Sequence, residues 1–192
     1  MRSEDCALII LASGLSERFG EADKLMADFK GKPLVQHVIE ATAPIGFAQG
    51  FAVIPAASVQ RRKLFNSQGY SIIENTYPEA GQGAALKLAA QTAMDKGHKA
   101  VCVMLGDMPF VTTKDIMGLI NGLSDKDRAI SYCNKTFLPP AIFQNSALEE
   151  LAHINPERGA KSLFNSANAY KHVLSERAAR DIDTPETLAE LS

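Results

Sequence analysis

The sequence predicts an α/β fold: a single doubly wound domain over residues 1–192, built on a mostly parallel sheet of Rossmann-like type. Three observations carry this expectation. Runs such as "CALIIL" (Cys6–Leu11) and "AVCVML" (Ala100–Leu105) are apolar on consecutive residues, as strands covered on both faces are. Helical patterns alternate with these runs, which is the signature of right-handed βαβ units. The chain has 192 residues, 46% of them hydrophobic, enough for one well-buried core, and carries no repeat, linker or low-complexity tract.

Taken in order, "CALIIL" is the first strand and "GFAVIP" (Gly50–Pro55), "YSIIE" (Tyr70–Glu74) and "AVCVML" are the next three. Between them, "PLVQHVIEATAPI" reads as a helix with Pro33 at its first position, where a missing N–H costs nothing. "ASVQRRKLFNSQG" and "GAALKLAAQTAMDKG" read as helices closed by Gly69 and Gly97. After Asp107 the pattern loosens: "TKDIMGLINGL" is a helix capped by Thr112 or Thr113, "AISYC" a strand, and "LPPAIF" a proline-limited turn before a short apolar stretch. "SALEELAHI" and "GAKSLFNSA" follow as helices, "AYKHVL" as a late strand, and "TPETLAEL" as a closing helix with Pro185 in its first turn.

Composition narrows the function classes. A formal charge of -2 supplies no basic field, so nucleic acid is not expected as a partner and any anion site is local. Cys6, Cys102 and Cys133 show neither metal-ligand nor CxxC spacing, and the odd count fits a reducing cytoplasm. No run approaches the ~18–20 apolar residues that span a bilayer. "MRSEDCALIILA" places acids before a very short apolar core, the wrong order for a secretory signal. A cytoplasmic protein without a membrane partner is the expectation.

The informative stretch is "LASGLSERFGEADKL" (Leu11–Leu25), directly after the first strand. In doubly wound sheets ligands bind at the carboxyl ends of strands, and this loop lies there, as does "GDMP" (Gly106–Pro109) after "AVCVML". It is not a Walker loop, because Gly14 and Gly20 have five residues between them and Glu21 follows; nor does it contain G-x-G-x-x-G. What remains is flexible backbone at Gly14 and Gly20, hydroxyls at Ser13 and Ser16, and cations at Arg18 and Lys24. Such a loop can cradle an anion through its N–H groups and a forked Arg18. Spacing alone leaves a merely solvated turn equally open.

"LASGLSERFGEADKL" resembles the signature loop of the MobA-like nucleotidyltransferases, roughly L-A-[AG]-G-x-S-x-R-[MF]-G-x-x-K, matching at Leu11, Ala12, Gly14, Ser16, Arg18, Phe19, Gly20 and Lys24. "GKPLVQHVIE", "GQGAALKLA", "VMLGDMPFVT", "PPAIF", "ERGAKSLF" and "DIDTPETLAEL" follow in the family's order, so the resemblance covers nearly the whole chain. It is closest to the molybdenum cofactor cytidylyltransferase branch. Three places depart from that branch: Ser13 for Ala or Gly, Ala84 and Ala85 for serines, and Pro156-Glu157 before Arg158.

The resemblance implies transfer of CMP from CTP onto a molybdopterin-type acceptor, with Mg²⁺ or Mn²⁺ and with release of pyrophosphate. Catalysis of this kind is in-line positioning and charge neutralisation, needing a phosphate loop, a strand-end carboxylate and cations. It implies nucleotide contacts from Leu11, Ala12, Ser13, Gly14, Ser16, Arg18, Lys24, Gly81, Gly83 and Asp107, with Lys24, Arg18 and Asp107 carrying the chemistry. Gln82 lies between the two glycines that open "GAALKLAA". Asp107 is the first choice of metal ligand, the alternative being a turn-forming Asp before Met108-Pro109. Asp181 and Asp183, two apart, share one face of an extended segment and are candidates for the second ligand; Asp183 could instead cap the closing helix. Arg158 and Lys161 are expected to face the acceptor or to be solvated. Lys30 and Lys32 are expected to be solvated, and the four histidines structural or superficial.

Two alternatives remain at this stage. One keeps the chemistry with GTP, or with a sugar or alditol phosphate as acceptor. The other is a non-catalytic cofactor-binding protein that serves a molybdoenzyme or its chaperone.

Overall fold

The computed structural model describes residues 1–20, 22–156, 163 and 168–192. In chain order the strands are β1 (Ala7–Leu11), β2 (Asp28–Phe29), β3 (Lys32–Pro33), β4 (Gln49–Pro55), β5 (Ser71–Asn75), β6 (Ala100–Leu105), β7 (Arg128–Cys133), β8 (Thr136–Gln144) and β9 (Ala169–Val173). The helices are α1 (Leu34–Thr42), α2 (Val59–Ser67), α3 (Gly81–Asp95), α4 (Thr113–Leu123), α5 (Ser146–Ala152) and a closing helix, Pro185–Leu191. Among the described residues, β2 and β3 form a small ribbon of their own. The other strands make one sheet in the order β5-β4-β1-β6-β8-β7-β9, in which β8 alone runs against the rest. The doubly wound, mostly parallel α/β expectation holds.

The consecutive apolar run of β1 has a simple cause: every residue from Ala7 to Leu11 is buried, and the strand serves two cores at once. Leu8 and Ile10 join α1, α4 and Phe65 of α2 on one face, whereas Ala7, Ile9 and Leu11 join α3 and α5 on the other. Each fully buried Ile or Leu contributes about 1.5–3 kcal/mol relative to exposure, so this strand cannot slip register without losing both cores. Cys6 and Cys102 are buried free thiols, and burial pushes Cys102 up to about 12, which makes it an inert apolar filler.

From β1 the chain steps outward through β4 to β5, then returns to place β6 on the other side of β1. The winding direction therefore reverses between β1 and β6. The loops leaving these two strands flank the switch point, and the Gly106 N–H donates to the Leu11 carbonyl at 3.0 Å to join them.

Four local expectations need correction. "LPPAIF" is not a turn: it lies inside β8, whose hairpin with β7 turns at Asn134 and Lys135, both at positive φ as a two-residue hairpin requires. Pro33 precedes α1 as its cap residue rather than opening it, because it is still paired with Asp28 in the ribbon. Asp183 does not cap the closing helix: Thr184 does, its Oγ1 accepting from the Thr187 N–H at 3.2 Å. Lys32 is paired with Glu40 rather than free in solvent, whereas Lys30, over the Phe29 ring at 5.1 Å, is exposed as expected. The expected helix "GAKSLFNSA" falls almost wholly outside the described residues. No helix among the described residues is long and apolar enough to cross a membrane.

Candidate active site

The loop after β1 is shaped by two buried anchors and one buried arginine. Phe19, in a 3-10 turn over Glu17–Phe19, and Leu25, in a second over Lys24–Met26, both point into the core. The Asp23 carboxylate accepts from the Leu25 N–H at 3.0 Å and so fixes the turn that presents Lys24. Ser16 sits at φ 58, uncommon for a residue with a side chain, and its Oγ accepts from the Lys24 N–H at 3.2 Å. That bond folds the loop back on itself.

Beneath the loop lies Arg61 of α2, only 3% exposed. Its guanidinium donates to the Ala12 carbonyl (2.6 Å), the Gly14 carbonyl (2.9 Å) and Ser16 Oγ (3.2 Å), and grips both Asp23 oxygens (2.8 and 2.7 Å). Sequence reasoning missed this residue. It stands in "QRRK", which reads as a solvated helix face, and its neighbour Arg62 does lie at the surface against Glu74. Within the sequence, only the apolar Phe65 one turn along hints that Arg61 shares the inward face.

Above the loop, charges from three segments converge. Lys24 Nζ donates to Asp107 Oδ2 at 2.7 Å and to Asp183 Oδ1 at 2.8 Å. Arg18 Nη1 donates to Asp183 Oδ2 at 3.0 Å. The Ile182 N–H donates to the Asp107 carbonyl at 3.0 Å, fastening the "DIDTP" segment beside the end of β6. Burial of Lys24 opposes its charge, but the Asp107 carboxylate, and Asp183 after it, outweigh this and hold its pKa above the ordinary value. The hydrogen bond from Lys24 holds Asp183 below the usual carboxylate range. Asp181, though its side chain reaches the surface, moves the other way: partial desolvation first, then repulsion from Asp183 and Asp107, raise it.

The carboxylates fit a divalent cation. Asp107 Oδ1 is buried and has no hydrogen-bond partner among the described residues, and Asp181 feels the charge of both neighbours. A buried carboxylate oxygen left unpaired is costly unless something binds it. Among the described residues no three His, Cys, Asp or Glu side chains are already arranged as a metal cage. Mg²⁺ needs only one or two carboxylates when phosphate oxygens and water complete its shell.

Two adjoining hollows meet at Pro78. The more open one, about 290 Å³, is lined by Leu15, Ser16, Arg18, Lys24, Glu79 and Asp183, among others. The more enclosed one, about 140 Å³, is lined by Leu11, Ser13, Gly14, Gly81, Gln82 and Asp107 together with Ala85 and Leu105. Buried Asn75, at the end of β5, donates to Ser13 Oγ at 3.2 Å and accepts from the Tyr77 N–H at 3.1 Å, so the serine is held in place. Gly81 opens α3 at φ 83, a conformation that suits glycine. Gly83 is different: it does not line either hollow, and a Cβ there would stand 2.4 Å from the Pro156 carbonyl oxygen. Close packing against Pro156 accounts for that glycine.

Of the residues expected from sequence, the structure brings Ser13, Gly14, Ser16, Arg18, Lys24, Gly81, Asp107 and Asp183 around one cleft, with Leu11 in its wall. Ala12 is buried below, its carbonyl on Arg61. Asp181 is beside the carboxylates rather than paired with Lys24. Arg158 and Lys161 lie outside the described residues. His37 and His98 bond Phe29 and Gln49 away from the cleft, in keeping with structural roles.

A match to the MobA-like NTP transferase domain spans residues 8–173. Among curated proteins, the bifunctional protein GlmU of Rhizobium etli (strain CIAT 652) is 30% identical over 122 residues, covering 62% of this chain but only 27% of its own length. Solved structures share the fold at lower identity. Rv0371c from Mycobacterium tuberculosis H37Rv matches with a TM-score of 0.80 at 19% identity over 97% of both chains, and its manganese complex with 0.77 at 17%, again over 97% of both. Molybdopterin-guanine dinucleotide biosynthesis protein A from Archaeoglobus fulgidus gives 0.68 at 20% over 96% of both chains. CMP:2-keto-3-deoxy-manno-octonic acid synthetase complexed with CTP gives 0.73 at 16%, over 97% of this chain and 96% of that one. With the strand-end loop, the switch-point carboxylate and the whole-chain topology in agreement, this chain belongs to the MobA-like NTP transferase family of nucleotidyltransferases.

Proposed function

We propose that the protein transfers CMP from CTP onto a molybdopterin-type acceptor, releasing pyrophosphate, with Mg²⁺ or Mn²⁺ as the metal. The observation that carries this reading is the meeting of Lys24, Asp107 and Asp183 from three distant segments at the mouth of a divided cleft. The enclosed hollow, with apolar walls and a few small polar groups, suits a nucleoside; the open one, with Arg18, Lys24 and the glycine-bearing loop, suits a triphosphate. Support for the base and acceptor comes from the sequence resemblance to the cytidylyltransferase branch. It also comes from fold likeness to a synthetase solved with CTP and to a molybdopterin dinucleotide biosynthesis protein.

In the reaction an acceptor phosphate oxygen attacks the α-phosphorus. The new P–O bond forms as the bond to the bridging oxygen breaks, and that oxygen leaves with the pyrophosphate. Lys24 and Arg18 neutralise phosphate charge, and the loop N–H groups orient the triphosphate without later reorganisation. Asp107, with Asp183 or Asp181, would hold the divalent cation, which supplies Lewis-acid neutralisation of the phosphate oxygens when bound. Ser13, held by Asn75 in the wall of the enclosed hollow, would meet the base. No covalent intermediate on the protein is required. The nucleotide-bearing product would pass to a molybdoenzyme or its chaperone in the cytoplasm.

The test is pyrophosphate release with Mg²⁺, molybdopterin cofactor and each of the four NTPs in turn. Release with CTP alone supports the reading. Release with GTP, the second possibility favoured by likeness to the Archaeoglobus protein, overturns the choice of base. Nucleotide binding without turnover overturns the choice of acceptor, and silence with sugar and alditol phosphates as well overturns the enzymatic reading in favour of a cofactor-binding accessory.

A further inference from the structure

The loop that bears Arg18 and Lys24 is not rigid by composition. It carries two glycines, and two of its serines are Ser13 and Ser16. Its backbone order must come from outside, and Arg61 is the side chain placed to supply it. A guanidinium has five N–H donors. At Arg61 every one has an acceptor on the loop: Nε on Asp23, Nη1 on the Ala12 and Gly14 carbonyls, Nη2 on Ser16 and Asp23. These contacts lie at both ends of the loop, Ala12 where the chain leaves β1 and Asp23 immediately before Lys24. Since Arg61 is 3% exposed and on α2, the carbonyls it draws are turned into the protein, away from the cleft. Among the described residues, the backbone N–H groups of Gly14, Leu15 and Ser16 donate no hydrogen bond, which leaves them for a ligand.

We propose that Arg61 is a positioning residue for the nucleotide triphosphate: it orients the loop so that carbonyls face inward and N–H groups face the cleft, and through Asp23 it sets the root of Lys24. The inference rests on the reading of this loop as the triphosphate site. Lysine cannot replace arginine here, because an ammonium has three donors at one point and cannot reach acceptors spread around the edge of a planar fork.

The experiment compares wild type with Arg61→Lys in four measurements: CTP binding with Mg²⁺ by calorimetry, steady-state KM for CTP and for the acceptor, hydrogen exchange of peptides spanning residues 12–25, and thermal melting. The expected result for the folded variant is CTP binding weakened about tenfold or more, the equivalent of one or two net hydrogen bonds. Faster exchange confined to the loop and a raised KM for CTP with an unchanged KM for the acceptor complete the expectation. A lower melting temperature with unchanged CTP affinity and unchanged loop exchange shows a role in stability only and overturns the proposal. Should Arg61→Lys fail to fold, Asp23→Asn serves instead: it leaves the bonds to Ala12 and Gly14 but loosens Lys24, and unchanged CTP affinity in the folded variant overturns the proposal. Wild type that binds no NTP overturns the triphosphate reading itself, and this inference with it. Wild type that binds CTP as tightly as Arg61→Lys does overturns the inference alone.

Discussion

Lys24 Nζ lies 2.7 Å from Asp107 Oδ2, although 83 residues separate them in the chain. The contact exists because β1 and β6 are hydrogen-bonded neighbours whose loops leave at the same end of the sheet. Lys24 is 13% exposed and Asp107 20%, so the pair is sheltered, and Lys24 also answers the charge of Asp183. Lys24→Ala leaves Asp107 without its cation and Asp183 with Arg18 alone. We expect it to fold, to melt at a lower temperature, and to lose at least about a hundredfold in kcat/KM, as removal of a group that neutralises transition-state charge does. Steady-state pyrophosphate release with CTP, together with circular dichroism, checks both halves of that expectation.

Asp181 and Asp183 predict opposite pH behaviour. Asp183 has a lowered folded pKa, so the stability it contributes is present above the unfolded carboxylate value and is lost as pH falls through the folded one. Asp181 has a raised folded pKa, so its ionisation costs stability at neutral pH, and the cost disappears below the unfolded value of about 3.9. Asp181→Asn without divalent ions should therefore melt higher than wild type at pH 7, with the gain shrinking toward pH 4. Added Mg²⁺ should stabilise wild type more than the variant. Melting curves across that range decide it.

The packing of α4 on β9 supplies a prediction that leaves the cleft alone. A Cβ on Gly122 would lie 2.0 Å from Cε1 of Tyr170. Gly122→Ala must displace the ring, an overpacking cost of about 1–3 kcal/mol, lowering the melting temperature by about 2–4 °C per kcal/mol. CTP affinity should not change. Differential scanning calorimetry and a binding isotherm on the same sample test the separation.

Gly83→Ala, in contrast, drives a methyl group against the Pro156 carbonyl at 2.4 Å. That contact links the start of α3, which borders the enclosed hollow through Gly81 and Gln82, to the chain after α5. The variant should lose stability by a similar amount and also bind CTP less tightly. Equal affinity in the two proteins would show that the start of α3 does not depend on this packing.

What could be read from the sequence follows from how local each signal is. The parallel strands were legible because β1 and β6 are buried on both faces and so are apolar without alternation. The loop was legible because Gly14, Ser16, Arg18 and Lys24 lie within one short stretch. "LPPAIF" misled because two adjacent prolines look like a turn, whereas β8 carries them within the sheet opposite an irregularity at Ile130/Ser131. Asp183 was ambiguous because Asp and Thr are both good caps, and the structure gives that task to Thr184. Arg61 was hidden for a deeper reason: a buried arginine is legible only from its acceptors, and four of its five are backbone carbonyls or Asp23 oxygens of a loop far away in sequence.

The most direct measurement is pyrophosphate release from CTP by wild type and by Lys24→Ala, with Mg²⁺ and molybdopterin cofactor present. The proposed chemistry predicts turnover by wild type that depends on acceptor and metal, and near-complete loss of it in the variant. Equal turnover by both proteins would mean that this cleft is not where the nucleotide is transferred.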